Sequence, residues 1–165
     1  MPSATVDHEP AVANRLLALA GFIILCELAG ASGAVVTDAS WYRALARPSW
    51  APPGWLFGPV WITLYAAMGT AAWLVWRSRV PARRAALTWF AIQLALNAAW
   101  TPVFFGLRSI IGGLVMISAL LAALLVTTAY YRRCSRVAAM LMVPYALWVA
   151  FALTLNAVIF ALNRN

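Results

Sequence analysis

Five uninterrupted apolar runs, at about 16 to 36, 54 to 76, 85 to 106, 109 to 131 and 137 to 161, occupy most of this chain and leave few folds open to it. Each is long enough to cross a hydrocarbon layer of ~30 Å at a helical rise of ~1.5 Å per residue. A membrane β-barrel would show alternation of period two in pieces of about ten residues, and these runs show none. A water-soluble globule fails on composition. Hydrophobic residues make up 65% of the 165, charged residues 10%, and the mean hydropathy is +0.85, which leaves too little polar surface to coat a core. The expected fold class is therefore all-α, an integral membrane bundle of five transmembrane helices. The bundle occupies residues 15 to 165, behind a polar N-terminal tail at 1 to 14, and its one long connection is a lid-like loop at 37 to 53. Ala29, Gly30 and Ala31 resemble a signal-peptide cleavage site, but their run is about twenty residues long and carries acids ahead of Arg15, so it reads as a retained helix.

Charge gives the direction of the spans. All twelve cationic side chains are arginine, opposed only by Asp7, Glu9, Glu27 and Asp38. The sequence pI of about 10.8 would fit a nucleic-acid binder, but the arginines stand between apolar runs rather than in one patch, so no nucleic-acid partner is expected. Five spans put the N-terminus and loops 77 to 84 and 132 to 136 on one side of the membrane, side A. Eight arginines lie there (15, 77, 79, 83, 84, 132, 133 and 136), against Arg43, Arg47, Arg108 and Arg164 on side B. By the positive-inside rule side A is cytoplasmic. Trp73, Trp76, Trp89, Tyr130 and Tyr131 fall at side A helix ends, where amphipathic rings suit the headgroup level. Cys26 and Cys134 are expected as free thiols, and His8 alone makes no metal site.

The polar and aromatic residues deeper in the runs carry the candidate site. Gln93, Asn97, Trp100 and Phe104 recur at i, i+4, i+7, i+11 on the third run; Tyr145, Trp148, Ala152 and Asn156 form a stripe on the fifth; Trp61, Tyr65 and Met68 form one on the second. Amide and indole groups cost free energy in hydrocarbon unless they find partners, so these stripes should face one another. Facing stripes would make an aromatic cavity opening toward side B, with Trp41, Tyr42, Trp50, Trp55 and the prolines 48, 52 and 53 above it as a lid. Spacing alone leaves a second reading open, in which the stripes are tight packing and interhelical hydrogen bonds. Pro59, Pro102 and Pro144 inside spans bend helices and leave room between them. Small residues Ala91, Ala95 and Ala99 on the third run, and Ala29 with Gly33 on the first, permit close helix contact within the bundle or between subunits.

Three segments carry a family resemblance: WYRALARPSWAPPGWLFGPVWITLY (41 to 65), QLALNAAWTPVFFG (93 to 106) and VPYALWVAFALTLN (143 to 156). In this order and spacing they resemble the TspO/MBR family. The resemblance implies a five-helix bundle, usually a homodimer, that binds porphyrins such as protoporphyrin IX and haem and has no built-in cofactor. It implies a ligand site at Tyr42, Trp61, Tyr65, Asn97, Trp100, Trp148 and Ala152, with Ser32 near the top of the first helix. A tetrapyrrole face would stack on Trp and Tyr, while Asn97, Arg43 or Arg47 reach its polar edges and propionates. Sterol binding in the fifth helix is not expected, because no basic residue follows Tyr145 closely; a match of that type at Val126, Tyr130 and Arg132 reads better as an interfacial aromatic.

Three functions follow as expectations. The first is a membrane receptor or sensor that binds porphyrins and modulates tetrapyrrole handling, transport or stress response, in a bacterial cell membrane. The second is light-dependent porphyrin degradation with Trp61 and Trp148 as electron partners, which the resemblance rather than any acid and base pair raises. The third is a proton-coupled exporter using Glu27, an acid midway through the first span and expensive there. Its alternative is a hydrogen-bonded core acid meeting Gln93 or another helix's backbone.

Overall fold

The computed structural model describes residues 9–34 and 39–164, with side chains from 12–31 and 40–164. Six α-helices and one π-helical turn follow in order: α1 (Glu9–Ala34), α2 (Ala39–Ala44), α3 (Gly54–Arg77), α4 (Arg83–Thr101), the π turn (Pro102–Gly106), α5 (Ile110–Cys134) and α6 (Arg136–Leu162). Among the described residues there is no strand. Among the described residues four helices are long and apolar enough to cross a membrane. The fifth long helix, α4, is less apolar for a visible reason. It begins with Arg83 and Arg84, and it carries Gln93 and Asn97 on the face buried in the bundle.

Helix ends follow local chemistry. Ser109 caps α5 by accepting from Gly112 N at 3.0 Å, and Ser135 caps α6 by accepting from Ala138 N at 3.2 Å. The three internal prolines differ in effect. Pro59 and Pro144 sit inside continuous helices, whereas Pro102 ends the regular ladder of α4. Having no N–H to give, it opens the register, and Leu107 N closes a five-residue ring on Pro102 O at 2.9 Å.

The five long helices form a ring in the spatial order α1, α3, α6, α5, α4, with α4 closing back on α1. Glycine sets the closest crossing. A Cβ on Gly69 would lie 2.6 Å from Ile23 Cα, and one on Gly30 would overlap the Tyr65 ring, so each helix of the α1 and α3 pair gives a glycine to the contact. In the side A half the ring is filled by Met68, Ala72, Val75, Phe90, Leu124 and Met142. That half is a packed core; the other half is not.

The structure revises several expectations. Residues 9–14, placed in the tail, begin α1, while 1–8, His8 included, lie outside the described residues. The loop 37 to 53 contains α2, and its residues 37 and 38 are outside the description. Tyr131, read as interfacial, is fully buried in the core, with no hydrogen-bond partner for its hydroxyl among the described residues. Position near a helix end fixed its depth but not its face, and its face points inward. Trp73 and Tyr130 do carry arginines over their rings, Arg77 at 4.6 Å and Arg133 at 5.3 Å.

Candidate functional site

In the side B half the five long helices enclose a cavity of about 550 Å³. Seven of the eight residues implied by the resemblance line it: Tyr42, Trp61, Tyr65, Asn97, Trp100, Trp148 and Ala152. The eighth, Ser32, has its side chain outside the described residues. The lining residues that are exposed are Ala31, Gly54, Gly58 and Ile62, all on α1 or α3. The opening therefore lies between the side B halves of those two helices, flanking the bundle rather than along its axis.

Each wall follows from helix periodicity. From α3, Trp61 and Tyr65 are one turn apart and stack at 5.3 Å with an interplanar angle of 21°. Trp148 on α6 stands edge-on to Trp61 at 6.4 Å and packs on Phe57 at 5.9 Å. From α4 and the π turn, Trp100 and Phe104 stack at 5.2 Å and 10°. The extra residue in the π turn brings Phe104 and Phe105 together, and both rings meet Tyr42 of α2, at 6.3 and 5.6 Å. That contact places α2 over the cavity.

Polar groups in the walls divide into two sets. In the first, Asn97 Oδ1 accepts from the Tyr65 hydroxyl at 2.7 Å, and Asn97 Nδ2 donates to the Tyr145 hydroxyl at 2.8 Å. One amide thereby ties α3, α4 and α6 together. Trp100 Nε1 donates to Gly113 O at 3.1 Å. The second set is unpaired: Trp148 Nε1 and both amide atoms of Asn156 are buried with no hydrogen-bond partner among the described residues. Gln93 lies below the cavity, where Nε2 donates to Met68 Sδ at 3.1 Å. Glu27 borders the cavity, half-buried, and Gln93 is not its partner.

The basic residues and the lid differ from expectation. Arg47 lies over the Tyr42 ring at 5.1 Å, Arg43 is exposed, and neither lines the cavity. Burial pushes the Tyr42 hydroxyl above its ordinary range, only partly offset by Arg47, so it stays neutral near pH 7. Trp55 is 74% exposed and Trp50 packs outside on Phe151, so neither belongs to the site. The loop is held by a residue that spacing did not single out. Asn163 Nδ2 donates to Ala46 O at 2.9 Å, and its Oδ1 accepts from Ala46 N at 3.0 Å. Its only signal in the sequence was an asparagine just past the last apolar run.

These features define a multi-pass membrane protein, a helical bundle with an intramembrane aromatic cavity. The model of the TspO/MBR family matches residues 22–162. Among similar proteins, the tryptophan-rich protein TspO of Chlorobaculum tepidum is 42% identical over 157 residues, covering 91% of this chain and 98% of its own. The translocator protein of Homo sapiens is 42% identical over 128 residues, 76% of each chain. Protein CrtK of Rhodobacter capsulatus is 35% identical over 150 residues, 90% of this chain and 94% of its own. The chain belongs to the TspO/MBR family.

Proposed function

We propose that this protein is a membrane receptor or sensor that takes a flat apolar ligand of the porphyrin type, protoporphyrin IX or haem, into the side B cavity. In this reading it modulates tetrapyrrole handling, transport or stress response, as a homodimer in a bacterial cell membrane. One observation carries it: a cavity of about 550 Å³ walled by Trp61, Trp100 and Trp148. The volume suits a ligand of drug size, and indole and phenol faces suit a planar ring system. For the dimer, Ala91 and Ala95 form an exposed small-residue stripe on α4.

The test is tryptophan-fluorescence quenching by protoporphyrin IX in detergent, in the dark and then under light, with wild type, Trp148→Phe and Asn97→Ala. Saturable quenching in the wild type, weakened in both variants, supports the cavity; unsaturable quenching equal in all three overturns it. Bleaching of the bound porphyrin that requires light would add degradation, with Trp61 and Trp148 as the redox partners. A second reading, proton-coupled passage, draws on Glu27 bordering the cavity. It requires Glu27→Gln to abolish export from proteoliposomes while leaving binding intact.

A further inference from the structure

Asn156 is 3% exposed and lines the cavity from α6, yet neither its Oδ1 nor its Nδ2 has a hydrogen-bond partner among the described residues. The large majority of buried side-chain amides are paired, so one with both atoms unpaired calls for an explanation. Its surroundings are closely packed. Asn156 and the Phe104 ring converge on Gly113, where an added Cβ would collide with Phe104 and lie 3.0 Å from Asn156 Nδ2. The carbonyl of Gly113 already accepts from Trp100 Nε1. Phe104 is itself carried on the π turn, the one departure from regular α-helix within the long helices, and such turns concentrate at functional positions.

We propose that Asn156 is a specificity-determining residue for the ligand of this cavity, a reading that rests on the function proposed above. Its amide pairs with a ligand edge that presents an acceptor and a donor side by side, once the Phe104 ring has turned away from it. A carboxamide, a lactam or an un-ionised carboxylic acid offers that edge. The chain makes the same two-bond pairing elsewhere: Asn163 holds the N–H and C=O of Ala46 with its own amide, at 3.0 and 2.9 Å. An ionised carboxylate fits the cavity less well. Among the described lining residues none is basic, and Arg43 and Arg47 stand outside, so an anion finds no cation there. Within the proposed porphyrin class, the edge that meets Asn156 is therefore a neutral donor and acceptor, an un-ionised propionic acid or its amide, rather than an ionised propionate.

The experiment compares three forms of one ring system, protoporphyrin IX, its dimethyl ester and its bis-carboxamide, by fluorescence quenching in the dark with wild type and Asn156→Leu. The bis-carboxamide is expected to bind wild type roughly ten-fold tighter than the ester, which accepts but cannot donate. Asn156→Leu should lose the preference, binding the bis-carboxamide no tighter than the ester. The free acid ranking with the bis-carboxamide extends the edge to acids; ranking with the ester confines it to amides. Equal affinities of bis-carboxamide and ester in wild type, or a preference that survives in Asn156→Leu, overturn the proposal while leaving the cavity reading in place. Failure of all three probes to bind wild type overturns both. Should the leucine variant not fold, the Asn156 side-chain amide resonances in wild type decide: they shift with bis-carboxamide bound, and resonances that stay in place overturn the proposal.

Discussion

Asn97 joins three helices with two hydrogen bonds, so its loss reaches further than one side chain. Asn97→Ala strips partners from the hydroxyls of Tyr65 and Tyr145, both buried. Unpaired buried groups of this kind cost about 1–3 kcal/mol, and a lowered midpoint of thermal unfolding in detergent checks it. Gly69 acts by absence. An added methyl would lie 2.6 Å from the Ile23 backbone, which cannot move without moving α1, so Gly69→Ala is expected to destabilise by about 1–3 kcal/mol through overpacking. Ala at Gly21, which meets nothing within 4 Å, serves as the control and should be near neutral. Asn97 was legible in the sequence because a polar residue recurring with Trp100 at helical spacing has to be paired. Gly69 was not, because a glycine's neighbours come from another helix.

At the scale of elements, the π turn and the α2 loop shape the side B half. Pro102→Ala returns an N–H to α4 and permits an unbroken α register, which would rotate Phe104 and Phe105 away from Tyr42. The expected result is weaker porphyrin quenching with little change in helix content, read by fluorescence and circular dichroism. Asn163→Ala cuts both bonds to Ala46 and the further bond from Nδ2 to Ile159 O at 2.8 Å. Faster hydrogen exchange across residues 41 to 48, with the long helices protected as before, is the outcome to look for. The sequence announced a proline in the third span; whether it would bend the helix, as expected, or open a π ring depended on what packs around it.

For the whole molecule, the arginine asymmetry predicts the orientation of the bundle. Cys134 follows Arg132 and Arg133 at the side A end of α5, half-buried, and Cys26 is fully buried in α1. With side A cytoplasmic, a membrane-impermeant maleimide should label Cys134 only after cells are opened and should leave Cys26 unmodified in both cases. Labelling of Cys134 in intact cells would reverse the orientation. The side B cavity would then face the cytoplasm, and so would its opening between α1 and α3.

The sequence by itself determined that this chain lies in a membrane, that its spans are helical, and which stripes of the second, third and fifth runs carry polar and aromatic residues, though it placed the start of the first helix seven residues late. Those properties follow from hydropathy, length and the 3.6-residue period, all local to one helix. Tertiary structure alone decided that the stripes leave a space of about 550 Å³ rather than closing on one another, that among the described residues Asn97 is satisfied while Trp148 Nε1 and Asn156 are not, and that Arg47 turns to Tyr42 instead of the cavity. Each of these depends on which atoms of different helices come within about 3 to 6 Å of one another, the reach of hydrogen bonds and ring contacts. Helical spacing fixes a direction for each side chain, and only the packing of five helices fixes what it meets there.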